Sequence, residues 1–362
     1  MPKPKPTEAR KLTYAEAALL DLLPTLAVPD DARMLIAGNR SGWLPLDAEK
    51  KWPKRVSAHA FDFHHARAIR DRLAEAWINP NAIVHCTPAL PEGPFALALF
   101  MTTPQSMSAE LVLDQLEDLH AQLAEGGTLV AAFEGDADDA LRTLRLVWSN
   151  VHVVSRAKHV AVFRMVKRGE LAKRRDFASN WEASVPDGEK MVFTSLPGCF
   201  CHRRADAGGL ALAEVAAREA KPADRLLDMG CGCGLVGLLV AKKAGIADLT
   251  LIDSHARAIA AAKINAARAG IDARFILSDD GLPRGESETG RWSLVVGNPP
   301  YYSDYRIADV FMETAYRALR PGGRCLMVVK TATGHLALQE KYFRTAEVIK
   351  RRGYCVLRSV RT

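Results

Sequence analysis

Asp224-Arg225-Leu226-Leu227-Asp228-Met229-Gly230-Cys231-Gly232-Cys233-Gly234 reads as a short apolar strand that breaks into a glycine turn and then opens a helix. Its hydrophobic run lacks strict alternation, as a strand covered on both faces requires. An earlier stretch, Ala32-Arg-Met-Leu-Ile-Ala-Gly-Asn-Arg-Ser-Gly42, lines up on it without gaps. Three more blocks repeat in the same order. Asp62–Ile69 matches Asp253–Ile259 with one residue of slippage, Phe95–Pro104 lies over Trp292–Tyr301, and Gly126–Phe133 matches Gly322–Val329. Each copy ends in two short β-rich runs, Val151 to Met165 and Val348 to Val360. Strand, glycine turn, helix, strand and helix recur in both halves, so the chain contains one α/β unit twice. The expected fold is two tandem Rossmann-like domains, each a mostly parallel, doubly wound sheet ending in an antiparallel hairpin. Ala256–Gly270 is alanine-rich with a glycine at its end, a helix with its stop signal.

Charge and turn formers replace apolar periodicity after Lys167, which places a basic linker at 167–186 between domains at 1–166 and 187–362. A length of 362 residues suits two domains. With 48% hydrophobic and 25% charged residues the composition is that of a soluble globular protein. No apolar run is long enough to span a bilayer, and the basic, proline-rich start lacks the apolar core of a signal peptide. A cytoplasmic monomer without a membrane partner is expected. Seven cysteines, an odd number, argue for reduced thiols rather than a disulfide framework. The net charge of +7 favours a polyanionic partner. Basic residues cluster at Lys167, Arg168, Lys173, Arg174 and Arg175, at Arg203 and Arg204, and at Lys350, Arg351 and Arg352, although such runs also occur as plain solvated surface.

The glycine turn stands where open α/β sheets bind ligands. Its spacing, Gly230-x-Gly232-x-Gly234, is not that of a dinucleotide fingerprint, and Asp228 precedes it by two residues. A pyrophosphate would be repelled by that carboxylate, whereas the ammonium and sulfonium of S-adenosylmethionine are compatible with it. Asp253, ending the next strand, is placed to accept from both ribose hydroxyls, and Asp279, after a third strand, to meet the adenine amine. Asp228 also has a plainer reading as a strand-end or helix cap, and Asp279 as a turn acid. Cys231 and Cys233, with Cys199, Cys201 and His202, invite a zinc reading, but Cys-x-Cys inside a tight glycine loop leaves poor room for tetrahedral ligation, so no metal is expected.

Trp292-Ser-Leu-Val-Val-Gly-Asn298-Pro299-Pro300-Tyr301-Tyr302 carries the chemistry. Two prolines remove two backbone donors and end the ladder, leaving the Asn298 amide and neighbouring carbonyls to face a ligand. An amide that donates and accepts, beside rigid carbonyls and the Tyr301 ring, suits a planar amine such as the exocyclic amino group of a flipped base.

With Asp228-Met-Gly-Cys-Gly-Cys-Gly234, Asp253 and Asn298-Pro-Pro-Tyr301 in place, the chain resembles class I S-adenosylmethionine-dependent methyltransferases, and among them the small-domain family of 16S rRNA guanine-N2 methyltransferases. The resemblance covers nearly the whole chain, since that family also carries a degenerate methyltransferase-like domain before an active one. It implies methyl transfer to the N2 amine of a guanine in ribosomal RNA or the small ribosomal subunit. By that resemblance Asp228, Gly230, Gly232 and Gly234 hold the methionine end of the cofactor, Asp253 the ribose and Asp279 the adenine. Phe200, in Phe193-Thr-Ser-Leu-Pro-Gly-Cys-Phe200, lies against the methionine part, Asn298 and the Pro299 carbonyl hold the target amine beside Pro300, and Tyr301 stacks on the base. Two departures bear on the target. The corner ends in Tyr-Tyr where the family has Phe followed by His, and Ala205-Asp206 stands where Leu-Asp is usual. Tyr in that place also occurs in relatives acting on adenine, other guanines or a glutamine side chain.

In the first copy Ile36 replaces Asp228, Arg40 replaces Gly232, and Met101-Thr-Thr-Pro104 replaces Asn-Pro-Pro-Tyr. That copy is expected to be catalytically silent, with Arg40 filling the cofactor space, and to support the second domain and grip RNA. Arg40, His59, His64, His65, Trp43 and Trp52 are its candidate contacts, each with an ordinary packing role as the alternative. The competing readings for the whole chain are another amino-group methyltransferase, including one for protein glutamine, and a non-catalytic RNA-binding assembly factor.

Overall fold

The computed structural model describes residues 12–102, 107–282, 288–300 and 305–362. It divides after Phe177 into two units. The first contains α1 (Tyr14–Leu22), β1 (Met34–Ala37), α2 (Trp43–Lys51), β2 (Val56–His59), α3 (Phe63–Glu75), β3 (Val84–His85) and β4 (Phe95–Thr102). It continues with α4 (Ala109–Gln122), β5 (Leu123–Glu134), α5 (Ala137–Arg145), β6 (His152–Arg156) and β7 (Val160–Val166). The second opens on a hairpin, β8 (Ser179–Ala183) and β9 (Met191–Ser195), followed by α6 (Ala207–Glu219), β10 (Arg225–Met229), α7 (Leu235–Ala244) and β11 (Asp248–Asp253). Then come α8 (Ala256–Ala269), β12 (Arg274–Leu277), β13 (Trp292–Gly297), α9 (Arg306–Ala318), β14 (Leu319–Val329), α10 (His335–Phe343), β15 (Glu347–Arg351) and β16 (Tyr354–Val360).

The sheet orders are β3-β2-β1-β4-β5-β7-β6 and β12-β11-β10-β13-β14-β16-β15, the same path drawn twice. In both, five strands run parallel and an antiparallel hairpin closes one edge. The register agrees with the gap-free alignment of the copies. Met34 faces Leu97 as Leu226 faces Leu294, and Leu97 faces Thr128 as Leu294 faces Arg324. Successive residues feed opposite faces: Leu226, Leu294 and Val296 enter one core, Leu227, Met229 and Val295 the other. This two-sided covering is the reason the strands read as continuous apolar runs. Helix α8 stops at Gly270, which adopts a left-handed φ of 64°.

Two expectations are corrected here. The ladders make Ala60, not Asp62, the equivalent of Asp253: His59 pairs with Ala37 as Ile252 pairs with Met229, so the next residues are Ala60 and Asp253. Asp62 instead caps α3 by accepting from the His64 N–H. The sequence match slid because both helices are entered from short acidic turns, while only the ladder fixes true equivalence. The second correction concerns 167–186, which is not a free basic linker. Lys167 is buried and donates to the Leu123 carbonyl at 3.1 Å, Arg174 and Arg175 pair with Asp118 and Glu117 of α4, and Ser179–Ala183 is β8 of the second unit. The acids of α4 take Arg174 and Arg175 as counterions. Arg351 and Arg352 are likewise engaged, both on the buried Glu214.

Candidate active site

β10 lies between β11 and β13 in the second sheet, so its carboxyl end opens at the point where the connections diverge to either side. Gly230–Gly234 leaves that end, and Asn298 leaves the adjacent end of β13, one residue past the Met229–Gly297 register pair. The parallel ladder therefore sets the glycine turn and the Asn-Pro-Pro corner side by side. The Asn298 carbonyl lies 4.0 Å from where a Cβ on Gly230 would stand. Pro299 is buried and Pro300 half-buried, while Tyr301 lies outside the described residues.

Asp228 is 1% exposed, and its Oδ2 accepts the Gly237 N–H of α7 at 2.8 Å. Burial pushes its carboxyl up to about 7; the Gly237 bond opposes the rise and the Asp253 charge adds to it. Asp253 accepts the Gly232 N–H through Oδ2 and the His255 N–H through Oδ1, each at 2.8 Å. These bonds hold the carboxylate at the mouth of the turn, and each oxygen has a second lone pair. A Cβ at Gly232 would meet nothing within 4 Å, whereas at Gly230 it would strike Phe311 and at Gly234 Leu238. The middle of the turn thus faces open space, with room for a ligand to reach the backbone. Asp279 follows β12, half-buried, on the far side of Asp253.

Several residues that build this site were not singled out from the sequence. Asn265 of α8, 1% exposed, accepts from the Thr194 N–H at 2.7 Å and donates to the Cys233 carbonyl at 2.9 Å, tying the β8–β9 hairpin to the glycine turn. Ser195 Oγ bonds His202 Nδ1 at 2.9 Å and accepts from the Arg203 N–H at 3.2 Å, which fixes the turn leading to α6. Cys201 and Arg203 in this turn have left-handed φ angles of 51° and 75°, and Phe200 stands 66% exposed on it. Asp206, the cap of α6, accepts from Asn298 Nδ2 at 2.9 Å. Only the capping half of that role was readable, since an Asp just before an apolar helical run is a helix-start signal. All seven cysteines are free thiols, and burial pushes Cys199 and Cys233 up to about 12, which makes them packing groups. Among the described residues no cluster of His, Cys, Asp and Glu could hold a metal ion.

Residues 190–358 match the family model described as the methyltransferase small domain. The ribosomal RNA small subunit methyltransferase C of Pseudomonas paraeruginosa is 33% identical over 171 residues, 46% of this chain and 49% of that protein. The enzyme of the same name from Pseudomonas entomophila is 27% identical over 75% of this chain and 81% of its own length. The first of these matches thus spans about half the length of the curated relative. Among solved structures, the T. thermophilus 16S rRNA N2 methyltransferase RsmC, in complex with AdoMet and guanosine, superposes with a TM-score of 0.79 at 21% identity. That superposition covers 94% of this chain and 91% of the other, which extends the shared fold to both units.

The first unit fills the position that the second unit keeps open. Glu16 of α1, 2% exposed, reaches into its glycine turn and accepts from Asn39 Nδ2 at 2.8 Å, Ser41 Oγ at 2.5 Å and the Leu44 N–H at 3.3 Å. Met101 stands at the register position of Asn298 with its sulfur 3.8 Å from Asn39 Nδ2, and Ile36 enters the core where Asp228 stands in the second unit. Glu16 and Asn39 are buried in this turn, where the carboxylate satisfies donors that a guanidinium cannot, and Arg40 is half-buried beside them in sequence. Burial holds the Arg40 pKa below its ordinary value, against the pull of Asp62 and Glu134. His59 is fully buried on the Thr87 carbonyl and Trp52 is buried, so neither can meet RNA. Trp43 is half-buried under the Arg72 guanidinium at 3.9 Å, and His64 is exposed.

Proposed function

We propose that the second unit transfers a methyl group from S-adenosylmethionine to the exocyclic N2 amine of a guanine in ribosomal RNA, with 16S rRNA as the substrate class. The observation that carries the reading is the juxtaposition of an open-faced glycine turn, flanked by Asp253, with Asn298 at the end of the neighbouring strand. The methyltransferase small domain and the relatives' names support it. The residues present fit the cofactor. The backbone at Gly232 is open to approach, Asp253 can accept from the ribose hydroxyls, Asp279 stands on the adenine side, and the buried Asp228 offers negative charge to an ammonium.

When bound, S-adenosylmethionine would supply an electrophilic methyl carbon with a neutral thioether as its leaving group. The chain's task is to present the lone pair of the target nitrogen. Asn298 Oδ1 and the Pro299 carbonyl accept the two amine hydrogens and leave the lone pair directed at the methyl carbon. The nitrogen becomes cationic on transfer and then releases its proton to water, so no strong general base is required. The prolines keep the two acceptors rigid because they fix φ and carry no N–H. The base must be single-stranded or flipped to reach this corner.

Asn298→Ala should lower methyl transfer by roughly 10²–10³-fold, the usual cost of deleting one preorganised polar group, while the dissociation constant for S-adenosylmethionine changes little. Labelled cofactor incubated in parallel with rRNA, DNA and total protein tests the target class. Label entering protein or DNA instead of rRNA would reject the reading, as would a fully active alanine variant.

A further inference from the structure

We infer that Asp206 is a positioning residue that sets the polarity of the amine-binding corner by dictating which way the Asn298 amide faces. The inference rests on the functional reading above. An asparagine amide has nearly the same shape in its two orientations, so the chemistry of its partners decides between them. Asp206 Oδ2 lies 2.9 Å from Asn298 Nδ2. A carboxylate only accepts, so the NH2 edge must turn towards it and the carbonyl edge away from it. That orientation matters because an amine donor needs acceptors. A reversed amide would set N–H against N–H and lose the contact that aims the lone pair.

Asp206 is itself held. Its Oδ2 also accepts the Gly209 N–H at 2.6 Å as the cap of α6, and the Cys201 thiol lies 3.6 Å from its Oδ1. The preceding turn is anchored on Ser195 through His202 and the Arg203 N–H. A helix cap and a catalytic amide thus share one oxygen, so the start of α6 and the end of β13 are aligned by the same group. Ordinary capping explains the bond to Gly209 but not the one to Asn298.

The two roles separate by substitution in the full-length chain. Asp206→Ser retains a good helix cap but is too short to reach Asn298. Asp206→Thr is a second capping residue of the same reach, which guards against a folding defect peculiar to serine. Asp206→Asn can keep one carbonyl oxygen where Oδ2 now serves both donors. The serine and threonine variants should lose about 10- to 100-fold in kcat for rRNA methylation. Their thermal midpoint, KM for rRNA and dissociation constant for S-adenosylmethionine should stay within about threefold or a few degrees of the parent. Asp206→Asn should recover most of the rate, and Asp206→Ser combined with Asn298→Ala should be no slower than Asn298→Ala alone. Parental kcat in both capping variants, or losses that multiply in the double variant, would overturn the inference. If Asn298→Ala is inactive while the capping variants are normal, only the role of Asp206 falls. A fully active Asn298→Ala removes the reading on which it rests.

Discussion

At the scale of single residues, one carboxylate records how far a buried environment can move a charge. Asp228 sits on a core face beside Leu226, accepting a hydrogen bond from the Gly237 N–H, and its carboxyl rises to about 7 from burial. An unfolded aspartate titrates near pH 4, so between roughly pH 4 and pH 7 the folded chain keeps a proton that the unfolded chain has released. The contribution of this group to stability is therefore greatest below about pH 4 and declines as pH rises through 7. Asp228→Asn should flatten that decline, so urea midpoints measured from pH 5 to pH 8 should fall less steeply than in the parent. An unchanged slope would show that Asp228 is not the titrating group. A cationic cofactor favours the ionised form, so in the proposed role binding near pH 6.5 should release a proton that the asparagine variant does not. Calorimetry in two buffers of different ionisation enthalpy measures it.

At the scale of elements, α7 and the turn before it divide their glycines between space and conformation. A Cβ on Gly237 would lie 2.6 Å from Leu251 Cδ2 and 3.0 Å from Asp228 Oδ2, so helix and sheet touch there. Gly237→Ala should cost about 1–3 kcal/mol, the range for overpacking a tight core, and denaturant titration of the second unit's transition checks it. Gly232→Ala meets no neighbour but must adopt a φ of +54°, a strain of roughly 1–2 kcal/mol for an L side chain. Its new methyl points into the space assigned to the ligand, so cofactor affinity should drop far more than stability does. Equal losses in the two properties would place the ligand elsewhere. The sequence spacing marked Gly232, but nothing in it marked Gly237, whose need for a bare Cα arises only when α7 packs on β11.

At the scale of the whole molecule, two copies of one sheet path have been given opposite interiors at the same place. Where the second unit keeps its turn open, the first fills it with the buried Glu16 and its three donors. Glu16→Ala leaves Asn39 Nδ2, Ser41 Oγ and the Leu44 N–H without that acceptor, at about 1–3 kcal/mol for each group that stays buried and unpaired. Faster hydrogen exchange in α1, the Gly38–Gly42 turn and the start of α2 is the expected signature. Unchanged protection there would mean that another group or water replaces the carboxylate. The sequence by itself determined the duplication, the parallel strands with their closing hairpin, the glycine turn, Asp253 and the Asn-Pro-Pro corner. Periodicity, prolines and glycines act over a few residues and are legible wherever they stand. Tertiary structure alone decided that Ala60 rather than Asp62 is the equivalent of Asp253, that Arg174 and Arg175 pair with α4, that Glu16 closes the first turn, and that Asp206 meets Asn298. Those partners lie 92 residues apart in the last case, and no local preference encodes which distant donor a buried acceptor will find.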